Sequence, residues 1–537
     1  MPSYLKKYKA ENLQDQYDAI VIGSGIGGMA CAAFLADSGQ RVLVLEQHYT
    51  PGGFTHMFRR GDWAWDTGVH YIGEVHRKNA MLRMIFDEIS GDALQWEWMG
   101  EEYDRAIYPD ASYSFMAGRK AFLGAMGDRF PGEREGLARY VDMVHDVSRA
   151  SRDYYAGKPL PPGFATGPEG PPGAAFRAYA ARTVGEVLTE LIGDERLRGV
   201  LASQWGDYGL PPGKASFAMH AQVVKHYMDG GNYPVGGAGR IAATILPRIV
   251  VRGGDVRVRA KVDRVLLHRE KAVGVVMADG HEIRADRVIS NAGVIRTWQR
   301  LLRDAPEHLR PGAGQWPDAV ASSGHLCVYL GLDISDTESG VSRCNQWIMP
   351  GYDHDRNVAA FARDPQADFP CVYVSFPSAK DPLFQENHPG KSTVELITMM
   401  GFNHVRTWEK TGWYQRGDGY VRFKEELADR LQEVACRHNP GLKGHIARRE
   451  ISTPLSTRHF SGYSQGEIYG IDHTPRRLLA DWLRPATPVG GLFLTGQDVA
   501  TAGIGGALIG GVLTASTILG RNLMQDVLIR RKKESGV

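Results

Sequence analysis

The chain has 537 residues, in which 63 lysines and arginines face 61 aspartates and glutamates, so the formal net charge is +2. This balance argues against a nucleic-acid-binding protein, and a hydrophobic share of 43% argues against a disordered one. The length predicts two or three domains. Glycine is enriched, because 64 glycines are about 12% of the chain against a usual share of about 7%. No collagen-like repeat explains the excess, and the glycines cluster at a few positions instead.

Residues 17–46 predict a strand, a glycine-rich turn, a helix and a second strand. A β-branched run meets the spacing Gly23-x-Gly25-x-x-Gly28, and a helix of small residues then leads to a second apolar strand. Such a turn lets a pyrophosphate approach the helix N-terminus, and Glu46 at the end of the second strand is placed to bind ribose hydroxyls. An acid there disfavours a 2′-phosphate, so we expect FAD or NAD rather than NADP. The residues predicted to bind the dinucleotide here are Gly23, Gly25, Ile26, Gly27, Gly28, Glu46 and Gln47.

Two further glycine clusters favour FAD over NAD. Gly52 and Gly53 form a loop soon after Glu46, where the backbone can approach the cofactor closely. Near the other end of the chain, Asp498 precedes a second glycine-rich helix start, which suits the ribityl chain and flavin of an extended FAD. NAD would not need a contact so far along the chain. The residues predicted to bind FAD in these clusters are Gly52, Gly53, Gly496, Asp498, Gly505 and Gly506.

The middle of the chain carries further strand patterns. The glycine run 236–239 lacks a preceding strand, so a built-in NAD(P)H site is not expected. A strand over 288–293 is predicted to return to the first sheet. The stretch 159–172 is rich in proline and glycine and predicts a surface excursion. A meander with a hairpin turn at Asp279-Gly280 is predicted from the strand patterns at 256–259, 261–267 and 272–277.

The nucleotide-binding patterns occur in three separated segments, which predicts a discontinuous domain. We expect the FAD-binding domain to comprise residues 1–80, 226–300 and 481–537. We expect a substrate-binding domain with a lid-like helical part to comprise residues 81–225 and 301–480.

The cysteines and the chain ends bear on location. Five cysteines lie far apart with no CxxC pair, so no zinc site, other metal site or disulfide framework is expected. The N-terminal residues lack the apolar core of a signal peptide. The segment 502–519 is diluted by glycine and predicts a buried helix rather than a membrane span. We expect a cytoplasmic protein, and the basic residues at 6–9 and 530–533 would suit peripheral contact with the inner face of a membrane.

Motifs along nearly the whole chain resemble those of one family. The sequence is similar to the phytoene desaturase-type flavoproteins, and among them to the retinol saturase group and its bacterial relatives. The motifs that carry the resemblance are VIGSGIGG (21–28), LVLEQH (43–48), DTGVHYIG (66–73), YP (233–234), SNAG (290–293), FPSAKDP (376–382) and LTGQD (494–498). The matches in the middle of the chain are specific, because the common flavin fold does not require them.

The resemblance implies an α/β fold, with a GR2-type FAD-binding Rossmann-like domain and an inserted α+β substrate-binding domain. It also implies that the Val262 backbone meets the adenine of FAD. The implied reaction reduces or introduces a carbon–carbon double bond in a long hydrophobic chain, either a carotenoid or retinoid or a long-chain acyl lipid. Three alternatives stay open: a cis–trans carotenoid isomerase, a non-redox isoprenoid or lipid carrier, and an amine oxidase.

In carbon–carbon chemistry on a flavin, the flavin exchanges a hydride with one carbon, and a proton donor or acceptor serves the other carbon. The side chains proposed for the proton are Tyr71, His70, His473 and His404, with Tyr463 as a further candidate. Each of them can equally satisfy a buried backbone group, and catalysis can also rest on the flavin and on positioning alone. Because there is no second nucleotide fingerprint, we expect the electron donor or acceptor to be a quinone, oxygen or a separate reductase.

Overall fold

The computed structural model describes residues 2, 4–14, 16–160, 173–310 and 319–534. Residues 161–172 of the predicted surface excursion lie outside these ranges. Within the described residues the strands are β1 Lys6–Lys7, β2 Gln16–Ile22, β3 Val42–Glu46, β4 Met57–Arg60, β5 Trp63–Asp66, β6 Ile72–Gly73, β7 Trp96–Trp98, β8 Glu102–Ile107, β9 Ser112–Met116, β10 Gly231–Pro234, β11 Asp255–Val258, β12 Val262–His268, β13 Lys271–Met277, β14 Glu282–Ser290, β15 Gly324–Leu332, β16 Asn345–Ile348, β17 Val372–Ser375, β18 Ser392–Met400, β19 Ile446–Ser452 and β20 Leu492–Leu494.

The helices of the same ranges lie between and after these strands. They are α1 Ile26–Asp37, α2 Met81–Ser90, α3 Arg119–Arg129, α4 Arg134–Gly157, α5 Ala174–Ala180, α6 Val184–Leu191, α7 Glu195–Ala202, α8 Phe217–Tyr227, α9 Gly239–Val251, α10 Val294–Arg296, α11 Asp336–Ser339, α12 His354–Arg363, α13 Pro377–Lys380, α14 Phe384–Asn387, α15 Gly417–His438, α16 Pro454–Ser461, α17 Pro475–Leu479, α18 Gly503–Leu519 and α19 Leu523–Glu534.

The first sheet is the predicted dinucleotide sheet. Its strand order is β1-β11-β3-β2-β14-β13-β12, and β20 also pairs with β14. β2, β3, β11, β14 and β20 run parallel, so their carboxyl ends meet at one edge. The predicted return of the 288–293 strand is confirmed, because β14 lies beside β2 and β20. This edge is where ligands bind in open α/β sheets.

The tight turn between β2 and α1 depends on its glycines. Gly23 has φ +97°, which disfavours any residue with a Cβ. A Cβ on Gly28 would lie 2.3 Å from the Gly23 carbonyl oxygen, so the helix could not start so close to the strand. α1 begins at Ile26, inside the glycine motif and earlier than the small-residue helix of the sequence pattern.

The second sheet builds the opposite side of the molecule. Its order is β19-β15-β18-β17-β16-β8-β9, and most neighbours are antiparallel. α15 packs on one face, with Leu427 and Leu431 in the core that it shares with β15 and β18. The other face is left to a cavity. Because side chains alternate along a strand, alternate residues of β15, β17 and β18 lie on that face, and five of them line the cavity, namely His325, Tyr329, Tyr373, Ile397 and Met399.

The strands of each sheet come from separate parts of the chain. The first sheet takes strands from residues 6–46, 255–290 and 492–494, and the second takes strands from 102–116 and 324–452. The short sheet β6-β10-β7 combines residues from before and after the helical segment that contains α3 to α8. The domain boundaries themselves stay a prediction.

Two expectations about the middle of the chain are wrong. β11 was expected in the meander, but it pairs parallel with β3, whereas β12, β13 and β14 form the meander. The local sequence pattern of β11 is that of any short strand, and the crossover helix α9 before it determines which strand β11 pairs with. The glycine run 236–239 does follow a strand, β10, and precedes α9. There the backbone N–H groups of Gly236 and Ala238 donate to the carboxylates of Asp381 (2.9 Å) and Asp66 (3.1 Å) rather than facing open space.

Within the described residues, no single helix is long and apolar enough to cross a membrane. α18 and α19 pass that test only together, and they meet at an angle of 103°. Two basic residues of α19 have acidic partners on the protein. Arg530 pairs with Glu88 of α2, and Arg531 lies 2.8 Å from Asp92.

Candidate active site

One cavity of about 510 Å³ connects the two sheets. At one end it is lined by residues at the carboxyl edge of the first sheet, including Gly23, Gly25 and Glu46. At the other end it is lined by one face of the second sheet, including Tyr329 and Ile397. A groove for an elongated cofactor and a compartment for a second molecule are therefore continuous.

Glu46 lies at the carboxyl end of β3 and lines the groove beside the glycine motif. Its Oε2 accepts hydrogen bonds from the Ser24 backbone N–H (2.9 Å) and hydroxyl (2.7 Å), and its Oε1 accepts from the His48 N–H (2.7 Å). The Ser24 hydroxyl in turn accepts from the Gly52 N–H at 3.0 Å. These bonds hold the glycine motif, the end of β3 and the second glycine loop around one carboxylate. Glu46 is only 7% exposed, and it reaches a ligand only through the cavity.

Asp498 occupies the corresponding place at the other end of the groove. It is 3% exposed and lines the cavity. Its two oxygens accept from the backbone N–H groups of Ile471 (3.0 Å) and Val294 (2.8 Å). The carboxylate therefore fixes the loop before α18 against two neighbouring segments and presents its remaining lone pairs to the groove.

Arg296 supplies a test of whether the groove fits a dinucleotide. Its guanidinium donates to Gln47 Oε1 (3.0 Å) and to the Ser461 carbonyl (3.1 Å), which leaves Nε buried without a partner among the described residues. A buried donor that lines a groove costs free energy unless a ligand satisfies it. An anionic or hydroxyl-rich cofactor between the glycine motif and Arg296 would do so, and the residues present fit FAD.

The floor of the inner compartment is the open face of the second sheet. β18 contributes Ile397 and Met399, β17 contributes Tyr373, and Cys371 lies directly before β17. Most of this surface is apolar or aromatic, which suits a hydrophobic ligand. Some polar atoms in it have no partner among the described residues, namely Tyr373 OH, Trp347 Nε1 and His325 Nδ1.

Asp207 is a lining residue that the sequence analysis missed. It ends the short 3₁₀ turn Ser203–Asp207 that follows α7, and it lines the cavity. A Cβ on the preceding Gly206 would lie 2.6 Å from the Trp347 ring, and the Gly206 carbonyl accepts from the Tyr469 hydroxyl at 2.9 Å. These two contacts set the position of the turn. The only local signal is an acid inside the aromatic and glycine-rich run Trp205-Gly206-Asp207-Tyr208-Gly209.

A buried charged cluster supports His70 from behind. His70 Nδ1 lies 2.8 Å from Glu395 Oε2, and the other Glu395 oxygen accepts from the Asp66 backbone N–H at 2.9 Å. Lys380 donates to the His70 carbonyl at 2.9 Å. Burial and the Lys380 charge lower the pKa of His70 to about 4, so the imidazole is neutral at pH 7. Burial raises the pKa of Glu395 to about 8 and that of Asp66 to about 7.

We expect Glu395→Gln to change how stability depends on pH. A carboxyl whose pKa rises from 4.5 to about 8 on folding holds a proton that the unfolded chain releases, so its contribution is complete below 4.5 and is lost as the pH rises through 8. The unfolding free energy of the wild type minus that of the variant should therefore decrease as the pH rises from 4.5 to 8, by at most about 1.4 kcal/mol per pH unit. Denaturant titrations at several pH values measure it. The exposed control Glu386→Gln should give a flat difference, and a flat result for Glu395→Gln would contradict the assignment.

The structure separates the proposed catalytic residues. His70 and Tyr463 line the cavity, and Tyr71 lies one layer behind it with its hydroxyl 2.8 Å from Asp207. His473 is fully buried behind the groove, where its Nε2 accepts from the Ala502 N–H at 2.8 Å, and burial holds its pKa well below the ordinary value. His404 packs on Phe361 in the core on the far side of the second sheet. A neutral, already bonded His473 and a remote His404 are poorly placed to deliver a proton.

The proposed FAD-binding residues fall into two layers. One layer lines the cavity, and the other packs behind the first. In the second layer, a Cβ on Gly28 would lie 2.3 Å from the Gly23 carbonyl oxygen, and a Cβ on Gly506 would lie 2.2 Å from the Thr501 carbonyl oxygen, so these glycines let α1 and α18 start close to the loops that precede them. Those that line it are Gly23, Gly25, Ile26, Gly27, Glu46, Gln47, Gly52, Gly53, Val262 and Asp498, and those behind are Gly28, Gly496, Gly505 and Gly506.

Comparison with known proteins gives three kinds of match. The profile of the flavin-containing amine oxidoreductase family matches residues 26–296. The all-trans-retinol 13,14-reductase of Danio rerio is 34% identical over 98% of this chain and 90% of its own length. The chloroplastic prolycopene isomerase of Daucus carota is 25% identical over 90% of this chain and 76% of its own length. Among solved structures, a putrescine oxidase bound to putrescine shares the fold, with a TM-score of 0.63, 15% identity and coverage of 94% of this chain and 99% of that one. FAD is the cofactor of the groove.

Proposed function

The chain belongs to the flavin-containing amine oxidoreductase family and, within it, to the family of the all-trans-retinol 13,14-reductases, and from this premise we propose that it reduces a carbon–carbon double bond of a retinoid- or carotenoid-like polyene. The protein is an FAD-dependent oxidoreductase that acts on carbon–carbon double bonds. The substrate class and the direction of the reaction are the proposed part.

The observation that carries the proposal is the single cavity that joins the dinucleotide groove to an apolar compartment. A long hydrophobic chain can lie on the open face of the second sheet, between Tyr329 and Met399, while one of its double bonds reaches the groove. Burial of apolar surface would supply the binding free energy, at roughly 25 cal/mol per Å². The compartment has few fixed charges, which favours a polyene over a diamine.

The groove residues hold the cofactor in place, and the inner residues hold the substrate. Glu46, Arg296 and Asp498 would bind FAD, which in its reduced form would supply a hydride to a carbon of the double bond. The sheet face and Tyr469 exclude water and orient the chain. The remaining requirement is a proton for the neighbouring carbon, and the cavity wall must provide it.

Isomerisation is the second candidate, because the prolycopene isomerase matches most of this chain. Isomerisation would use the same compartment without net transfer of hydrogen. The two reactions differ in the mass of the product, since reduction adds two hydrogen atoms and isomerisation adds none. A non-redox carrier would leave the bound chain unchanged.

Product analysis decides among these functions. The FAD-loaded protein is incubated anaerobically with a chemical reductant and, in separate arms, all-trans-retinol, a linear carotene or a polyunsaturated acyl chain. Mass spectrometry and chromatography then identify the product. We expect a retinoid or carotenoid that has gained two hydrogens. An unchanged mass with a new double-bond geometry would support the isomerase, and an unchanged polyene in every arm would contradict the proposal.

A further inference from the structure

We propose that Asp207 is the proton donor of the reaction, held in its protonated form by a hydrogen-bonded chain through Tyr71 to Asp104. The inference rests on the proposed function and deepens it, because it assigns a catalytic residue and a direction. It makes Tyr71 and Asp104 positioning residues, since neither of them lines the cavity.

Asp207 is the acid that the inner compartment offers. Among the described residues, the acids that line the cavity are Glu46, Asp207, Glu425, Glu450 and Asp498. Glu46 and Asp498 are bound to backbone N–H groups at the dinucleotide groove. Glu425 and Glu450 form ion pairs of 2.6 Å with Arg449 and Arg448. In the part of the chain that the structure describes, Asp207 has neither a cation nor a backbone donor, and its hydrogen-bond partner is the Tyr71 hydroxyl.

A count of the protons in the two hydrogen bonds at the Tyr71 hydroxyl places one proton on Asp207. The Tyr71 hydroxyl oxygen lies 2.9 Å from Asp104 Oδ2 and 2.8 Å from Asp207 Oδ2. Each of these contacts is a hydrogen bond and needs a proton, but a tyrosine hydroxyl donates only one. Burial raises the pKa of Tyr71 well above its ordinary value, so this hydroxyl keeps its proton. One of the two carboxyl groups must therefore supply the second proton.

Asp104 is the carboxyl that stays ionised. Its Oδ1 accepts from Asn345 Nδ2 at 2.9 Å, and its Oδ2 accepts from Gln204 Nε2 at 2.7 Å. The Asn345 amide cannot be turned around, because its Oδ1 accepts from the Lys380 ammonium. With donors on both oxygens, Asp104 takes the Tyr71 proton as a further bond. The Tyr71 oxygen is then left to accept, and Asp207 is left to donate.

The surroundings of Asp207 keep it neutral. The titratable groups that face it are Asp104 on β8 and seven buried groups, namely Tyr71, Tyr103, Tyr208, Tyr227, Cys371, Tyr373 and Tyr469. Apart from Asp104 these groups are uncharged at pH 7, because burial raises the pKa of each. Burial and the Asp104 carboxylate accordingly raise the pKa of Asp207 well above its ordinary value.

The protonated state prepares Asp207 to donate a proton, which is the role that saturation requires. One carbon of the double bond gains the hydride, and its neighbour gains the proton as the O–H bond of Asp207 breaks. The resulting carboxylate accepts the Tyr71 O–H and is protonated again by water once the product leaves. Desaturation would instead require a carboxylate that is ready to accept a proton from the substrate. Asp207 in this state therefore favours saturation.

Infrared spectroscopy and flavin reoxidation test the assignment on one set of proteins. At a pH of about 9, Asp66 and Glu395 with pKa values of about 7 and 8 are mostly ionised, so a carbonyl stretch of a protonated carboxyl reports Asp207. We expect Asp207→Asn to remove this band and Tyr71→Phe to keep it at a shifted frequency, because the hydrogen bond is lost. The control Asp336→Asn changes another buried acid, bonded to Ser378 and remote from the cavity, and should leave the band unchanged.

The same proteins are loaded with FAD, photoreduced without oxygen and mixed with the polyene. Asp207→Asn should bind FAD normally and reoxidise it about 10²–10⁴-fold more slowly, whereas Asp336→Asn should match the wild type. A wild-type rate in Asp207→Asn, or a band that survives in it, would overturn the assignment. If Asp207→Asn does not fold, the absence of the band from the wild type, or an unshifted band in Tyr71→Phe, would overturn it. A wild type that no long polyene reoxidises would refute the proposed function instead, and the infrared result would still decide where the proton lies.

Discussion

Replacing Lys380 by methionine is expected to destabilise the FAD-loaded protein by about 3–5 kcal/mol. Lys380 is fully buried, and its ammonium donates to the His70 carbonyl (2.9 Å), the Ser375 hydroxyl (2.8 Å) and Asn345 Oδ1. Methionine has a similar length but offers no donor. It would leave three buried acceptors unsatisfied, so the loss reflects a broken network of buried hydrogen bonds.

Equilibrium unfolding in denaturant measures the effect of Lys380→Met at neutral pH. The matched control is Lys120→Met, since Lys120 lies exposed on α3 and its removal should change the unfolding free energy by less than about 0.5 kcal/mol. Because Lys380 connects α13 to the loop that carries His70, the variant should also loosen the cavity wall. A loss below about 1 kcal/mol would show that the network contributes little to the fold.

Gly27→Ala is expected to weaken FAD binding by about 10–100-fold. A Cβ on Gly27 would lie 2.5 Å from the Gly496 Cα and 2.8 Å from the Ala507 carbonyl oxygen. Both are backbone atoms, so α1 and α18 would have to move apart, at a cost of about 1–3 kcal/mol. The movement opens the groove where the glycine turn faces Asp498. Each 1.4 kcal/mol of binding free energy is a factor of ten in affinity.

Titration of the apoprotein with FAD, followed by flavin fluorescence, measures the Gly27→Ala effect. The control is Gly124→Ala, since Gly124 also lies in a helix, α3, and a Cβ there meets no atom within 4 Å. That change should leave FAD affinity unchanged and stabilise the protein by about 0.5–1 kcal/mol. Equal FAD affinity in the two variants would contradict the close packing of α1 against the loop at Gly496.

The dinucleotide half of the site could be predicted because its signals are local. The spacing Gly23-x-Gly25-x-x-Gly28 and the acid at Glu46 lie within one strand–helix–strand unit, and the structure places them around one groove. The contribution of Asp498 required more, since it lies at the other end of the chain. It was found because a second glycine-rich helix start follows it.

The catalytic half could not be predicted in the same way. Asp207, Tyr71 and Asp104 are distant in sequence and meet only because the helical segment folds over the second sheet. Side chains alternate between the two faces of that sheet, and Ile397 and Met399 lie on the cavity face. The alternation in the sequence does not show which face meets a ligand and which meets α15. Location in the cell and contact with a membrane stay predictions.

The central claim is that one cavity lets reduced FAD meet a long polyene. Its most direct test is an anaerobic titration of the photoreduced protein with all-trans-retinol or a linear carotene, followed by the absorbance of oxidised flavin. We expect the oxidised spectrum to return with one equivalent of polyene and one equivalent of dihydro product to form, whereas an aliphatic diamine should leave the oxidised protein unreduced. A flavin that stays reduced with every long polyene, or one that is reduced by the amine, would contradict it.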